Sequence, residues 1–198
     1  MATVANALAS DGRVRRAQRS GQAIVDALIE LVGEGIVEPT AQQVAARARV
    51  GIRTVFRRFS DMESLFREMS TKVQGEVLPL LLDGGPSGKL PDRARALVAR
   101  RVVFFERIAR YKRAANVRRL RSPYLRDRHK ELVTLLRAEL LRWLPECRKA
   151  PTALLDALEL ATSFEAWERL RNEQRLGVER AHAAVEQVVL TLIAEVNR

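Results

Sequence analysis

The chain has 198 residues, with 35 Lys+Arg against 24 Asp+Glu, 47% apolar and 30% charged residues, 10 Gly and 7 Pro. That is enough chain for one or two domains with a real core, and it excludes wholesale disorder, collagen-like and low-complexity sequence. A composition rich in Ala, Leu, Glu and Arg points to an all-α protein, and a net charge of +11 points to a polyanionic partner, most simply nucleic acid.

The excess charge is uneven. Residues 1–70 carry 10 Lys+Arg and 8 Asp+Glu, residues 84–150 carry 19 and 6, and residues 151–198 carry 5 and 8. The middle of the chain is therefore strongly basic and its end mildly acidic, which suggests separate tasks. A single cysteine, Cys147, permits no internal disulfide. The opening residues lack a signal-peptide pattern and the longest apolar run, around residues 77–82, is far short of a membrane span, so a cytoplasmic protein without membrane partners is expected.

In chain order, residues 1–12 show no period, and residues 1–15 read as a flexible basic arm, in which Arg13 and Arg15, with Arg16 and Arg19 beyond, either reach phosphates or a minor groove or remain disordered. From Arg16 to about Gly33, Ile24, Ala27, Leu28 and Leu31 recur at helical spacing. Thr40 and Gln43 fit a capping box ahead of a short helix through Val44, Ala45 and Ala48. Val50-Gly51 makes a break, and Ile52 to about Arg58 is again helical. Ser60 to Glu63 reads as a second capping box, opening a helix through Leu65, Met69 and Val73.

Residues 83–88, four of them Gly or Pro, read as a linker. Beyond it, Leu97, Arg101, Phe104, Phe105 and Ile108 suit one helix, Ala115–Arg121 a short one closed by Ser122-Pro123, and Leu132 to Leu144 another. Pro151 starts a helix through Leu170, and Gly177 separates it from a final amphipathic helix running from Ala181 to Val196. About nine helices and no strand are expected.

The sharpest signal is residues 40–59, TAQQVAARARVGIRTVFRRF. A capped short helix, a tight turn and a second short helix describe a helix-turn-helix, whose second helix enters the major groove. Val44, Ala45, Ala48, Val50, Val55 and Phe59 can form the core that locks the pair. Ile52, Arg53, Thr54, Arg57 and Arg58 are then left to project outward, with Arg able to bind guanine O6/N7 bidentately and Thr a thymine methyl or a phosphate.

On these residues the chain resembles the TetR/AcrR family of transcriptional regulators, from about Arg19 to Phe66. Thr40, Val44-Ala45, Val50, Thr54-Val55-Phe56, Phe59, Glu63 and Leu65-Phe66 fall on the family pattern. Arg49 stands where a turn glycine is usual and Gly51 where Ser or Thr caps the helix. Phe56 lacks the usual tyrosine hydroxyl, and Met62 replaces a usual lysine. The resemblance implies an N-terminal DNA-binding domain, here residues 16–70, and a helical effector-binding and dimerisation domain over 71–198. It implies a sequence-specific DNA-binding regulator, a homodimeric repressor released from a palindromic operator in double-stranded DNA by an unidentified small-molecule effector.

The DNA-contact set is then Thr40, Gln42, Gly51, Ile52, Arg53, Thr54, Phe56, Arg57 and Arg58. Ile52, Arg53 and Thr54 are expected at base edges, the rest at backbone or groove wall. Phe104, Phe105, Tyr111, Trp143 and Trp167 are candidates for an effector pocket, although aromatics at helical spacing more often make core. Leu158, Phe164, Val185, Val189, Leu192 and Val196 are candidates for the dimer interface, against packing wholly within one subunit.

Arg100, Arg101, Arg107, Arg118, Arg119 and Arg121 face an anionic effector, flank DNA or are simply solvated; the sequence leaves this open. Cys147 beside Arg148 and Lys149 is either a redox-sensitive thiol or an incidental one. His129 and His182 have no metal-ligand spacing. No nucleotide loop, nucleophile elbow or other catalytic set is present, so neither cofactor nor enzymatic activity is expected. The rival from another class is a sequence-unspecific binder of nucleic acid or an anionic membrane surface, driven by the basic middle segment.

Overall fold

A computed structural model of the chain describes the backbone of residues 2–196 and the side chains of residues 18–196. The described residues form nine α-helices and no strand: α1 (Ala2–Gly33), α2 (Ala41–Arg47), α3 (Ile52–Arg58), α4 (Met62–Leu82), α5 (Leu90–Arg119), α6 (Pro123–Trp143), α7 (Thr152–Ala161), α8 (Phe164–Glu168) and α9 (Val178–Ala194). A 3-10 turn at Pro145–Lys149 follows α6, and a π turn at Arg169–Glu173 follows α8. The all-α expectation holds.

Three of the helices differ from the sequence expectation. The backbone of the stretch expected as a loose arm belongs to α1, while the side chains of Arg13, Arg15 and Arg16 lie outside the described residues. The two helices expected between residues 97 and 121 are one 30-residue helix, because no Gly or Pro interrupts residues 92–119. The helix expected from Pro151 to Leu170 is broken after Ala161, where Ser163 caps a new start by accepting from the Ala166 amide at 3.1 Å.

The chain divides into two compact units. The first holds the residues up to Gln74 together with Arg110–Ser122, and the second holds Gly75–Ala109 and Pro123 onward. Residues 110–122, expected with the effector domain, thus group with the unit that holds the helix-turn-helix.

The first unit is built around α1, whose Ile24, Ala27, Leu28, Leu31 and Val32 are buried against α2 and α3. Burial of each such Leu or Ile contributes about 1.5–3 kcal/mol. Gly35, at φ 97°, ends the helix in a left-handed turn, and the Ile36 amide donates to the Leu31 carbonyl at 3.1 Å. Leu65, Phe66, Met69 and Val73 of α4 complete this core.

The second unit centres on α5, where Leu97, Val98, Val102, Phe104, Phe105 and Ile108 are buried. Phe105 meets Phe104 and Phe164 with ring centroids 5.8 and 5.7 Å apart. The loop before α5 needs Gly84 and Gly88 at φ 77° and 87°, conformations that L-residues rarely adopt. Arg100 and Arg142 donate to the carbonyls of Leu81 and Leu82 at 3.0 and 3.2 Å, satisfying the end of α4.

Candidate nucleic-acid interface

The helix-turn-helix forms as its local chemistry dictates. The Thr40 hydroxyl accepts from the Gln43 amide at 3.2 Å, and the Gln43 side chain accepts from the Thr40 amide at 2.8 Å. This reciprocal cap starts α2. At its other end Arg49 adopts φ 54°, and the Val50 amide reaches back to the Ala45 carbonyl at 3.0 Å. That is the turn in which glycine is favoured, and Arg49 holds it at a steric cost.

Val44, Ala45 and Val55 are at most 5% exposed and lock α3 against α2 and α1. Ala48, Val50 and Phe59, expected with them, are only half-buried. Just past the end of α1, Glu34 grips Arg47 of α2 through two hydrogen bonds of 2.7 and 2.8 Å. The hydrogen bonds from Arg47 hold the Glu34 carboxyl below its ordinary pKa.

α4 starts one residue later than its expected capping box. Asp61 accepts from the Ser64 amide at 2.7 Å, and Ser64 and Asp61, rather than Ser60 and Glu63, form the cap. Hydrogen bonds from Ser64 hold the Asp61 carboxyl below its ordinary value. Glu63 is thereby free of the cap and accepts from the Ser122 hydroxyl at 2.8 Å.

With the core side of α3 spent on Val55, the opposite side is bare. Ile52 is 40% and Phe56 49% exposed, and Arg53, Arg57 and Arg58 are exposed beside them. Thr40, Gln42 and Gly51 are exposed at the start of each helix, and Thr54 is half-buried. Arg58 departs from a simple outward posture. A Cβ at Gly21 would lie 3.0 Å from its Nη2, so its guanidinium rests on the backbone of α1. It also lines a shallow groove with Ser60, Asp61, Glu63 and Arg67.

In the second unit, the expected pocket aromatics do not gather around one space. Phe104, Phe105, Trp143 and Trp167 are buried at 4% exposure or less, and half-buried Tyr111 belongs to the first unit. Phe105 and Trp167 do border a cavity of about 10 Å³, closed further by Val98, Arg101, Val102, Thr162 and Val185. That volume holds about one water molecule. The Trp167 indole donates to Glu106 at 2.9 Å, and the Arg100 guanidinium lies 5.3 Å from the Trp143 ring centre.

Of the expected dimer residues, Leu158, Phe164, Val185 and Val189 are buried within the chain itself. They face its own core: α7 and α9 pack on each other and spend Leu158, Val185 and Val189 there, while Phe164 of α8 meets Phe105. Leu192 and Val196 are half-buried, while Leu160 and Val188, 69% and 47% exposed, are the bare apolar side chains of α7 and α9.

The basic middle segment does not form one face. Arg101 is buried: its Nε donates to Glu139 at 3.0 Å, and its Nη1 to the Thr162 carbonyl and hydroxyl at 2.7 and 2.6 Å. Its Nη2 donates to the Leu136 carbonyl. Burial pushes the Arg101 pKa down and the Glu139 pKa up against their mutual attraction. The signal for this pair was already in the pattern, since each charge sits among the apolar positions of its helix. Arg107 is exposed, and Arg118, Arg119 and Arg121 belong to the first unit.

Cys147 is fully buried, and burial raises its thiol pKa, the opposite of what a reactive thiolate needs. Among the described residues no group of three His, Cys, Asp or Glu side chains is placed to hold a metal ion, and no helix is long and apolar enough to cross a membrane.

The fold is that of an all-α protein with a helix-turn-helix near its N-terminus. It is similar to the crystal structure of a transcriptional regulator from Rhodococcus sp. Rha1, with a TM-score of 0.67 at 19% identity over 90% of this chain and 96% of that one. At that identity the likeness concerns the fold. No protein-family model and no curated protein sequence matches the chain.

Proposed function

We propose that the chain is a sequence-specific DNA-binding transcriptional regulator of the TetR/AcrR type. The observation that carries this reading is the helix α3, locked from behind by Val44, Ala45 and Val55 while Ile52, Arg53, Phe56 and Arg57 stand exposed. Such a helix fits the major groove, with Arg53 placed for a guanine and Ile52 or Thr54 for a thymine methyl. Thr40, Gln42, Gly51, Phe56, Arg57 and Arg58 supply the contacts to backbone and groove wall. A fold shared with a solved transcriptional regulator supports the same class.

The regulator acts as a homodimer in this reading. Leu160 on α7, with Val188 and Leu192 on α9, offers the apolar surface for a second copy. Two recognition helices then meet two half-sites of a palindrome. A small-molecule effector releases the operator by stabilising a state in which the Arg101-bordered cavity is enlarged, since about 10 Å³ admits no organic ligand.

Selection of bound sequences from a random duplex pool at near-physiological salt tests this. Enrichment of a palindrome is expected. Salt-sensitive binding to every duplex without enrichment overturns it in favour of sequence-unspecific polyanion binding.

A further inference from the structure

The first unit owes most of its positive charge to a segment outside the helix-turn-helix. Residues 1–74 carry 11 Lys+Arg and 8 Asp+Glu, a net of +3; residues 110–122 bring six Lys+Arg and no acid. The segment is anchored at two points. The Arg118 guanidinium lies 4.2 Å from the centre of the Phe66 ring, and the Ser122 hydroxyl donates to Glu63 at 2.8 Å. Both anchors are on the first two turns of α4.

That placement fixes where the corner between α5 and α6 sits. Glu63 follows Arg58, the last residue of α3, by five residues, a span of at most ~18 Å of chain. Over such a length a duplex presents about ten phosphates. The two acids at the start of α4 are already engaged: Glu63 accepts from Ser122, and Asp61 caps α4. Arg121 is exposed at this corner, and Arg119 is half-buried, with its Nη1 buried and its remaining guanidinium nitrogens left to reach a phosphate. The start of α4 itself carries Met62 and no basic residue before Arg67.

We propose that the α5–α6 corner, through Arg119 and Arg121, is a second DNA-backbone contact that flanks the site read by α3. The inference rests on the DNA-binding reading above and extends it. α3 reads bases, and the corner supplies the phosphate neutralisation that the first turn of α4 lacks. It contributes affinity and salt dependence without sequence preference. It also accounts for part of the basic middle segment, which serves the DNA-binding unit and not an anionic effector.

The test compares wild type with Arg121→Gln, and with Arg119→Gln combined with it, on the selected palindrome and on random duplex across a salt series. Each lost phosphate contact flattens the slope of log K against log[salt] by about 0.9. Between 50 and 200 mM salt the wild type is then expected to lose roughly tenfold more affinity than the double variant, with base preference unchanged. An unchanged slope on a palindrome that the wild type still selects overturns the corner and leaves the α3 reading standing. A flattened slope with no palindrome selected supports the corner and overturns α3 as a base reader.

Phosphate ethylation of the wild-type complex gives a check that needs no variant. Blocking phosphates outside the base-reading half-site are expected, and their absence overturns the proposal.

Discussion

Arg101 and Glu139 face each other across the second unit with Nε and Oε2 3.0 Å apart, their side chains 3% and 1% exposed. The guanidinium also donates to Thr162 and Leu136, while Glu139 Oε1 is buried without a hydrogen-bond partner. Removing one charge strands the other. Arg101→Met alone is expected to cost about 3–5 kcal/mol, whereas Arg101→Met with Glu139→Leu should restore most of it. Chemical denaturation of the three proteins checks this, and equal losses in single and double variants would contradict it.

Arg53 stands exposed in the first turn of a helix whose other side is locked by Val55. Arg53→Ala is expected to cost about 1–3 kcal/mol on the selected operator and to relax preference at one base position. Affinity for random duplex should change much less. Equal losses on both duplexes would place Arg53 on phosphate.

Arg49 holds φ 54° where the turn between α2 and α3 favours glycine. Arg49→Gly relieves a strain of about 1 kcal/mol and is expected to raise the melting temperature. A lower melting temperature would mean that the Arg49 side chain stabilises the turn by more than its backbone costs.

Leu158 and Leu192 set the core against the proposed interface. Leu158 is fully buried in the chain, so Leu158→Ala should destabilise the subunit by about 2–5 kcal/mol. Half-buried Leu192 replaced by Asp should instead yield a folded monomer, read by sedimentation. An intact dimer would move the interface off α9.

The pH dependence follows from two carboxylates. Glu34 is held below its ordinary pKa by Arg47, and Asp61 by Ser64. Each binds a proton more readily in the unfolded chain. Their stabilisation is therefore present at neutral pH and lost as pH falls below about 4 towards their depressed folded values. The melting difference between wild type and Glu34→Gln should be present at pH 7 and close at acid pH.

The helix-turn-helix was legible in the sequence because everything that makes it is local. The Thr40–Gln43 box needs residues three apart, and the Val44, Ala45 and Val55 core spans two short helices. The junction near Arg119 was less legible. Ala115–Arg121 looked like a separate short helix, but with no breaker ahead of it the backbone hydrogen bonds simply continue.

Locally set features were thus determined by the sequence itself: helical class, caps, turns and the exposed face of α3. Tertiary structure alone decided which of the many arginines are buried, which face of α9 is spent inside the chain, and that residues 110–122 join the unit that holds the helix-turn-helix. An amphipathic pattern shows that a helix has an apolar face, but it carries no address for the partner. Arg101 and Arg121 are both arginines of the same basic segment. Only the packing of Glu139 and Thr162 around one, and the exposure of the other beside the start of α4, give them different work.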